Sequence, residues 1–263
     1  MAAQRSQTQD CDPEIQSGVC FGIVIGLTIL NFGKVTEQTL HIYSRTKSFA
    51  NMYSWMVWIL LFTTATSAVI TWFFVRGQIA GSSTLFLSLS TVLWVLLMQI
   101  PPQIVANRLG LIMANKKTVK AMKITLLVLI SIMNVLCIGL YIWARRTYPI
   151  LGLHVQKYAV PIASAFSASI DLFMNSVFLR KVHRELITNG LVKYRLLFRL
   201  NVAAIIVLLS MEAVLTIIVL VLPTSFLYTS IQPAVYSIKL AIELMMADLI
   251  ARVVQEQHQM QEI

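Results

Sequence analysis

The chain is divided by apolar runs, most of them about as long as a helix needs to cross the ~30 Å hydrocarbon core of a bilayer. Six cover roughly residues 52–75, 83–107, 122–144, 158–180, 199–222 and 229–251. A shorter run covers 18–34, and an extension through Asn31 and Gly33 toward Tyr43 is its alternative. Within hydrocarbon every backbone donor and acceptor has to be satisfied internally, and a helix achieves this within one segment. Composition agrees: 57% of the residues are hydrophobic and 12% are charged, against about 25% charged in soluble domains. The expected fold is an all-α membrane protein, a single bundle of seven transmembrane helices over residues 18–252. A polar N-terminal tail (1–17) precedes it and a C-terminal tail (253–263) follows. The N-terminal tail, MAAQRSQTQDCDPEIQS, lacks the basic start and apolar core of a signal peptide, so the first helix is expected to insert uncleaved.

The net charge of +10 would suggest a nucleic-acid face in a soluble protein. Here the basic residues fall between apolar runs, where they act as topology signals. The N-terminal tail and the second, fourth and sixth connections hold five of them: Arg5, Arg76, Arg145, Arg146 and Lys157. The other connections and the C-terminal tail hold fifteen, with Arg108 counted among them, and Lys239 completes the 21. This asymmetry places the N-terminus outside and the C-terminus in the cytoplasm, the topology of a rhodopsin or a seven-helix receptor, with the plasma membrane the favoured location.

Several packing devices are legible. Gly18, Gly22 and Gly26 form a double GxxxG repeat, which lets helices approach closely. Packing inside the bundle is its plainer use and a homodimer face the other. Pro101-Pro102 removes two backbone donors from the third helix and predicts a kink. Pro161 is expected in the first turn of the fifth helix, and Asn189-Gly190 reads as a helix stop. The short connection PTSFLYTS (223–230) makes the sixth and seventh helices antiparallel neighbours. Three cysteines, Cys11, Cys20 and Cys137, do not make a disulfide framework and are read as free thiols.

The informative residues are charges inside the apolar runs, since an ionisable group at the bilayer centre costs ~2.5–3.5 kcal/mol or more and marks a function or a pairing. Asp171, Glu212, Lys239 and Glu243 lie deep. With ~1.5 Å of rise per residue, Lys239 falls near the midplane and Glu212 lies nearly level with it on the neighbouring helix. Lys239 and Glu243 are four residues apart and share a helix face, as do Ser164, Ser167, Asp171 and Asn175 at spacings of three and four. These positions predict a buried polar cluster of Asp171, Asn175, Glu212, Lys239 and Glu243 among the last three helices. In it Lys239 pairs with Glu212 or Glu243, and Asp171 bonds to Asn175, Ser167 or a neighbour. Three acids against one lysine leave at least one acid expected to hold its proton, because burial disfavours the charged form. Nine residues from Lys239, Asp248 points the opposite way and is expected to pair with Arg252 at the cytoplasmic rim. Such a cluster serves either as an ion-pair lock or as a ligand or ion site.

Basic residues also concentrate in the third connection (Lys116, Lys117, Lys120, Lys123) and the fifth (Arg180, Lys181, Arg184, Lys193, Arg195, Arg199). Each such residue near an anionic leaflet contributes ~1 kcal/mol of attraction. Anionic inner-leaflet lipid is the plainer partner for these clusters, and a cytoplasmic protein is the alternative.

A lysine in the seventh helix raises the question of a retinal Schiff base, but the third helix carries no acid to serve as counter-ion. The third helix ends Asn107-Arg108-Leu109 without the acid–arginine pair common in animal-type receptors, and no proline follows Pro233 in the seventh. The four histidines, His41, His154, His183 and His258, are all expected in loops or tails, and on different sides. No GxSxG elbow, phosphate loop or CxxC is present, and no inverted repeat marks a transporter fold. The reading is therefore non-enzymatic, without a cofactor or metal, and without a nucleic-acid partner.

The segments LITNGLVKYRLLFRLN (186–201), SMEAVL (210–215), LPTSFLYTSIQPAVYSIKL (222–240) and IELMMADLIARVV (242–254), with PPQIVANRLGLIMANKKTVKAMK (101–123), resemble an uncharacterised family of seven-helix integral membrane proteins from filamentous ascomycete fungi. The resemblance covers about half the chain and is strongest from residue 186 onward. It implies the seven-helix fold and supplies no activity. Lys239, Glu243 and Asp248 fall within it. Glu212 stands where the family more often has an aspartate. The leading functional expectation is a receptor-like sensor with its ligand near the polar cluster. A proton- or ion-coupled transporter and a non-catalytic membrane scaffold are the alternatives.

Overall fold

The computed structural model describes residues 13–47, 52–79, 84–113, 115–147, 149–182, 184, 195–221 and 227–261. Every regular element among them is an α-helix: α1 (Pro13–Thr46), α2 (Met52–Val75), α3 (Thr84–Ile112), α4 (Lys116–Thr147), α5 (Pro149–Val182), α6 (Arg195–Val221) and α7 (Leu227–Gln261). Each packs on its neighbour in chain order and α7 closes back on α1 and α2, while α3 reaches across to α5 and α7. Five of the described helices are long and apolar enough to cross a membrane: Ile15–Ser44, Met52–Val75, Leu85–Gly110, Lys116–Leu140 and Pro161–Lys181. The described apolar stretch of α6, Val202–Ile218, is shorter, and α7 interrupts its apolar residues with Lys239, Glu243 and Asp248.

The surface is inverted relative to a soluble protein. Ile29, Leu85, Val135 and Ile206 are more than three-fifths exposed, while Arg108 and Glu243 are only 1% exposed. Apolar surface on this scale is stable only against another apolar phase, so the bundle has the character of a multi-pass membrane protein.

Several sequence expectations change. The first helix takes the longer alternative and runs past Tyr43. Residues 13–17 and 253–261, expected as tails, are helical, and because α1, α5 and α7 extend beyond their apolar runs they also take in His41, His154 and His258, expected in loops or tails; His183 lies outside the described residues. Pro161 lies well inside α5, which begins twelve residues earlier at Pro149. Helix α3 is continuous through Pro101 and Pro102, both buried, and ends five residues later than expected. Consequently Arg108, counted from sequence among the loop cations, belongs to the bundle interior.

Two apolar cores flank α3. One joins Val35, Met56, Leu60, Leu97, Ile104, Tyr236 and Leu240 of α1, α2, α3 and α7. The other joins Val105, Leu109, Leu126, Ile130, Met174 and Phe178 of α3, α4 and α5. Side-chain amides tie the helices together by donating to backbone carbonyls across the interfaces. Asn31 bonds Ser237 O at 2.9 Å, Gln38 bonds Leu244 O at 3.0 Å, and Gln103 bonds Lys123 O at 3.2 Å. Such bonds hold helices where hydrophobic burial offers no net gain over lipid contact.

Local chemistry sets the turns. Gly77, with φ of 70°, ends α2 in a Schellman arrangement: its N–H bonds Phe74 O and the Gln78 N–H bonds Phe73 O. Asn115 starts α4 by accepting from the N–H groups of Lys117 at 3.0 Å and Thr118 at 3.4 Å. Of the glycine repeat in α1, Gly18 packs inside the bundle, where an added Cβ would stand 3.2 Å from Trp72, while Gly22 and Gly26 face open space. Cys20 and Cys137 are free thiols, and Cys11 lies outside the described residues, as do Asn189 and Gly190.

Helices α3 and α4 meet closely at Gly110, where an added Cβ would lie 2.7 Å from Val119 Cγ1. Gly110→Ala should destabilise the bundle by about 1–3 kcal/mol through overpacking, read as a lowered Tm in detergent. The double variant Gly110→Ala/Val119→Ala should recover most of the loss. A single variant that melts with the wild type would mean the two helices separate freely there.

Candidate functional site

Five ionisable side chains meet inside the bundle: Arg108 from α3, Asp171 from α5, Glu212 from α6, and Lys239 and Glu243 from α7, none more than 3% exposed. The Lys239 ammonium is shared. It donates to Glu212 Oε1 at 2.9 Å and also to Asp171 Oδ2, so one cation joins three helices. Glu243, one turn further along α7, forms an ion pair with Arg108. The Arg108 guanidinium lies over the Phe178 ring, 5.6 Å from its centroid, a cation–π placement that offsets part of its desolvation.

Backbone geometry explains the assembly. Asp171 and Asn175 are four residues apart on the buried stripe of α5, and Asn175 Nδ2 donates to the Asp171 carbonyl at 2.9 Å. Ser164, two turns earlier on that stripe, meets Thr216 of α6 at 3.0 Å, and Thr216 Oγ1 donates to the Glu212 carbonyl at 2.9 Å. The single hydroxyl proton of Thr216 is thus committed, and Ser164 is the donor between them. These bonds fix α5 against α6 at the height where both carboxylates face Lys239.

The polar interior continues toward the far end of α7. Asp248 Oδ1 accepts from Gln38 Nε2 of α1 at 2.6 Å, and the Tyr53 hydroxyl of α2 donates to Gln38 Oε1 at 3.4 Å. Asp248 thus turns away from Lys239, and α1 supplies its partner. The expected Arg252 contact falls on a side chain outside the described residues.

The structure brings Asp171, Asn175, Glu212 and Lys239 together. Glu243 differs from expectation: it pairs with an arginine of α3 and not with the lysine on its own helix. Arg108 is not legible from sequence as a core residue, because Asn107-Arg108 reads as the helix end. The break residue before Asn115 is Gly110, and it lies inside α3. Of the basic connections, Lys116, Lys117, Lys120, Arg180, Arg184 and Arg199 are exposed and Lys123 and Lys181 are half-buried. Lys193 and the Arg195 side chain lie outside the described residues.

Not every polar atom is matched. Arg108 Nε and Nη1, Asp171 Oδ1, Asn175 Oδ1 and Glu243 Oε1 are buried and have no hydrogen-bond partner among the described residues. Each unmatched atom is costly in a low-dielectric interior, so these atoms mark where the network is incomplete. Chemically, they are open donors and acceptors that a proton or a polar ligand group could satisfy. Among the described residues, no three His, Cys, Asp or Glu side chains gather as metal ligands.

Comparison with family models, curated proteins and solved structures finds no match to this chain.

Removing one partner strands a buried charge. Arg108→Met should cost about 3–5 kcal/mol, whereas Arg108→Met/Glu243→Met should return to near wild-type stability. Lys239→Met, which strands two acids, should cost at least as much as Arg108→Met. Thermal melts of these proteins and of Glu243→Met in detergent decide it, and additive losses in the double variant would mean that Arg108 and Glu243 do not act as a pair.

Proposed function

We propose that this chain is a seven-span membrane protein, N-terminus outside and C-terminus cytoplasmic, acting as a receptor-like sensor whose switch is the ionic core. The observation that carries the reading is the single ammonium held between two carboxylates on different helices, with an arginine–glutamate pair one turn away. Such a network has alternative pairings: Lys239 can keep Asp171 or Glu212, and Glu243 stands within electrostatic reach of both Arg108 and Lys239. A ligand that competes for one of these charges would shift how α5, α6 and α7 pack, which is how a local event becomes a bundle rearrangement. The basic inner connections would meet the cytoplasmic partner. The ascomycete resemblance, the apolar runs and the lysine–arginine asymmetry support the seven-span topology.

Topology is tested by single cysteines in a background without the native ones. Gln78→Cys should react with a membrane-impermeant maleimide on intact cells, and Lys117→Cys only after permeabilisation. The reverse pattern would invert the orientation. For the sensor, a thermal-shift screen of small organic ions on purified protein should find compounds that stabilise the wild type but not Glu212→Gln. If every stabilising compound acts equally on both proteins, the ionic core is not the ligand site.

A proton-coupled carrier is the second reading, favoured by one observation: the interior holds three carboxylates against two cations. The surplus acid is a place for a transported proton. Proteoliposomes loaded with a pH-sensitive dye should then dissipate an imposed proton gradient faster than empty vesicles, and Asp171→Asn should abolish the difference. Equal rates with and without protein would remove this reading.

A further inference from the structure

From Gln38 to Ile170 the chain contains no aspartate or glutamate. The stretch includes all of α2, α3 and α4, so the cations on these helices have no acid of their own or of one another to pair with. Arg108 is the exception, reaching Glu243 on α7. Beyond it, three cations of this region, Lys116, Lys120 and Lys123, line one cleft of about 240 Å³ between the end of α3 and the start of α4, together with Gly110 and Val119.

The cleft has a built floor. The missing side chain at Gly110 lets Val119 close against the α3 backbone. Lys123, half-buried, donates its Nζ to Asn107 Oδ1 at 2.5 Å, which fixes the ammonium against α3. Lys116 and Lys120 are exposed at the mouth and form no ion pair among the described residues. Side chains on a helix lean toward its N-terminus, so the three ammonium groups tilt toward the polar start of α4 and away from the apolar run that follows Lys123. In a bilayer that direction leads to the headgroups, where lysines extend their charges out of hydrocarbon.

We propose that the α3–α4 cleft binds the phosphate of an anionic phospholipid of the inner leaflet, with Lys120 and Lys116 contacting the headgroup and Lys123, fixed by Asn107, forming the floor. Charge complementarity selects the occupant: three cations that form no ion pair among the described residues, at the polar end of α4, beside an apolar helix surface that an acyl chain can follow. The site is more specific than a general attraction of basic loops to the membrane, because Lys117, on the same helix turn, does not line the cleft.

The test uses the full-length protein in a neutral detergent, titrated with dioctanoyl phosphatidylglycerol, dioctanoyl phosphatidylcholine or inorganic phosphate, with Tm and native mass spectrometry as readouts. The anionic lipid should raise Tm and remain bound, and phosphatidylcholine should do neither. Lys116→Gln/Lys120→Gln, both exposed, should melt like the wild type without lipid. It should weaken the anionic-lipid response by roughly tenfold to thirtyfold in concentration, at ~1 kcal/mol per basic residue. The charge-matched control Lys34→Gln/Lys117→Gln should retain the wild-type response. Equal weakening in the control would overturn the site in favour of diffuse attraction. An equal effect of inorganic phosphate would assign the cleft to a soluble anion and not to lipid. A poly-glutamate peptide that binds as tightly as the lipid, and is lost in the same variant, would assign it to an acidic protein.

Discussion

The Lys239 ammonium, held at once by Asp171 and Glu212, is the interaction on which the rest of this bundle depends. An ion in a low-dielectric interior is stable only if its charge is answered on the spot. That requirement fixes the relative height of α5, α6 and α7 more sharply than apolar side chains could. Helices sliding in lipid exchange one greasy contact for another, whereas sliding this trio by one turn would leave two acids and a base without partners. The Ser164–Thr216 bond and the Asn175 bond to the Asp171 backbone hold the same register from the neutral side.

The Arg108–Glu243 pair repeats the device between α3 and α7, between the two apolar cores. Together the pairs make α7 the reference element of the fold. It is bonded through charge to three other helices and through the amides of Asn31 and Gln38 to α1. A helix with so many directional contacts is poorly suited to being a passive wall. It is suited to moving as a unit when any one of those contacts changes.

Much of this was legible in the chain itself. The apolar runs gave the helices, because spanning length and backbone satisfaction leave little choice. The common level of Glu212 and Lys239 followed from rise per residue, and the face shared by Asp171 and Asn175 from helical phase. What could not be read was which charge meets which across helices. Lys239 and Glu243 share a face of α7, yet the face is wide enough for the two to meet different partners. Helix ends were also obscure where no strong stop occurs: α3 continues past Asn107 to Ile112, and those few residues turned Arg108 from a presumed loop cation into the partner of Glu243. Proline position misled in α5, since the helix starts well before its apolar core and leaves Pro161 in the interior.

The order of the charged residues along the chain has a consequence for assembly. Arg108, Asp171 and Glu212 all precede the residues of α7 that answer them. During synthesis each is made before its partner, so Arg108 has no carboxylate beside it, and Asp171 and Glu212 have no cation between them, until Lys239 and Glu243 follow. The pairing of the ionic core therefore waits on α7, and its closure is a late event in the folding of the bundle.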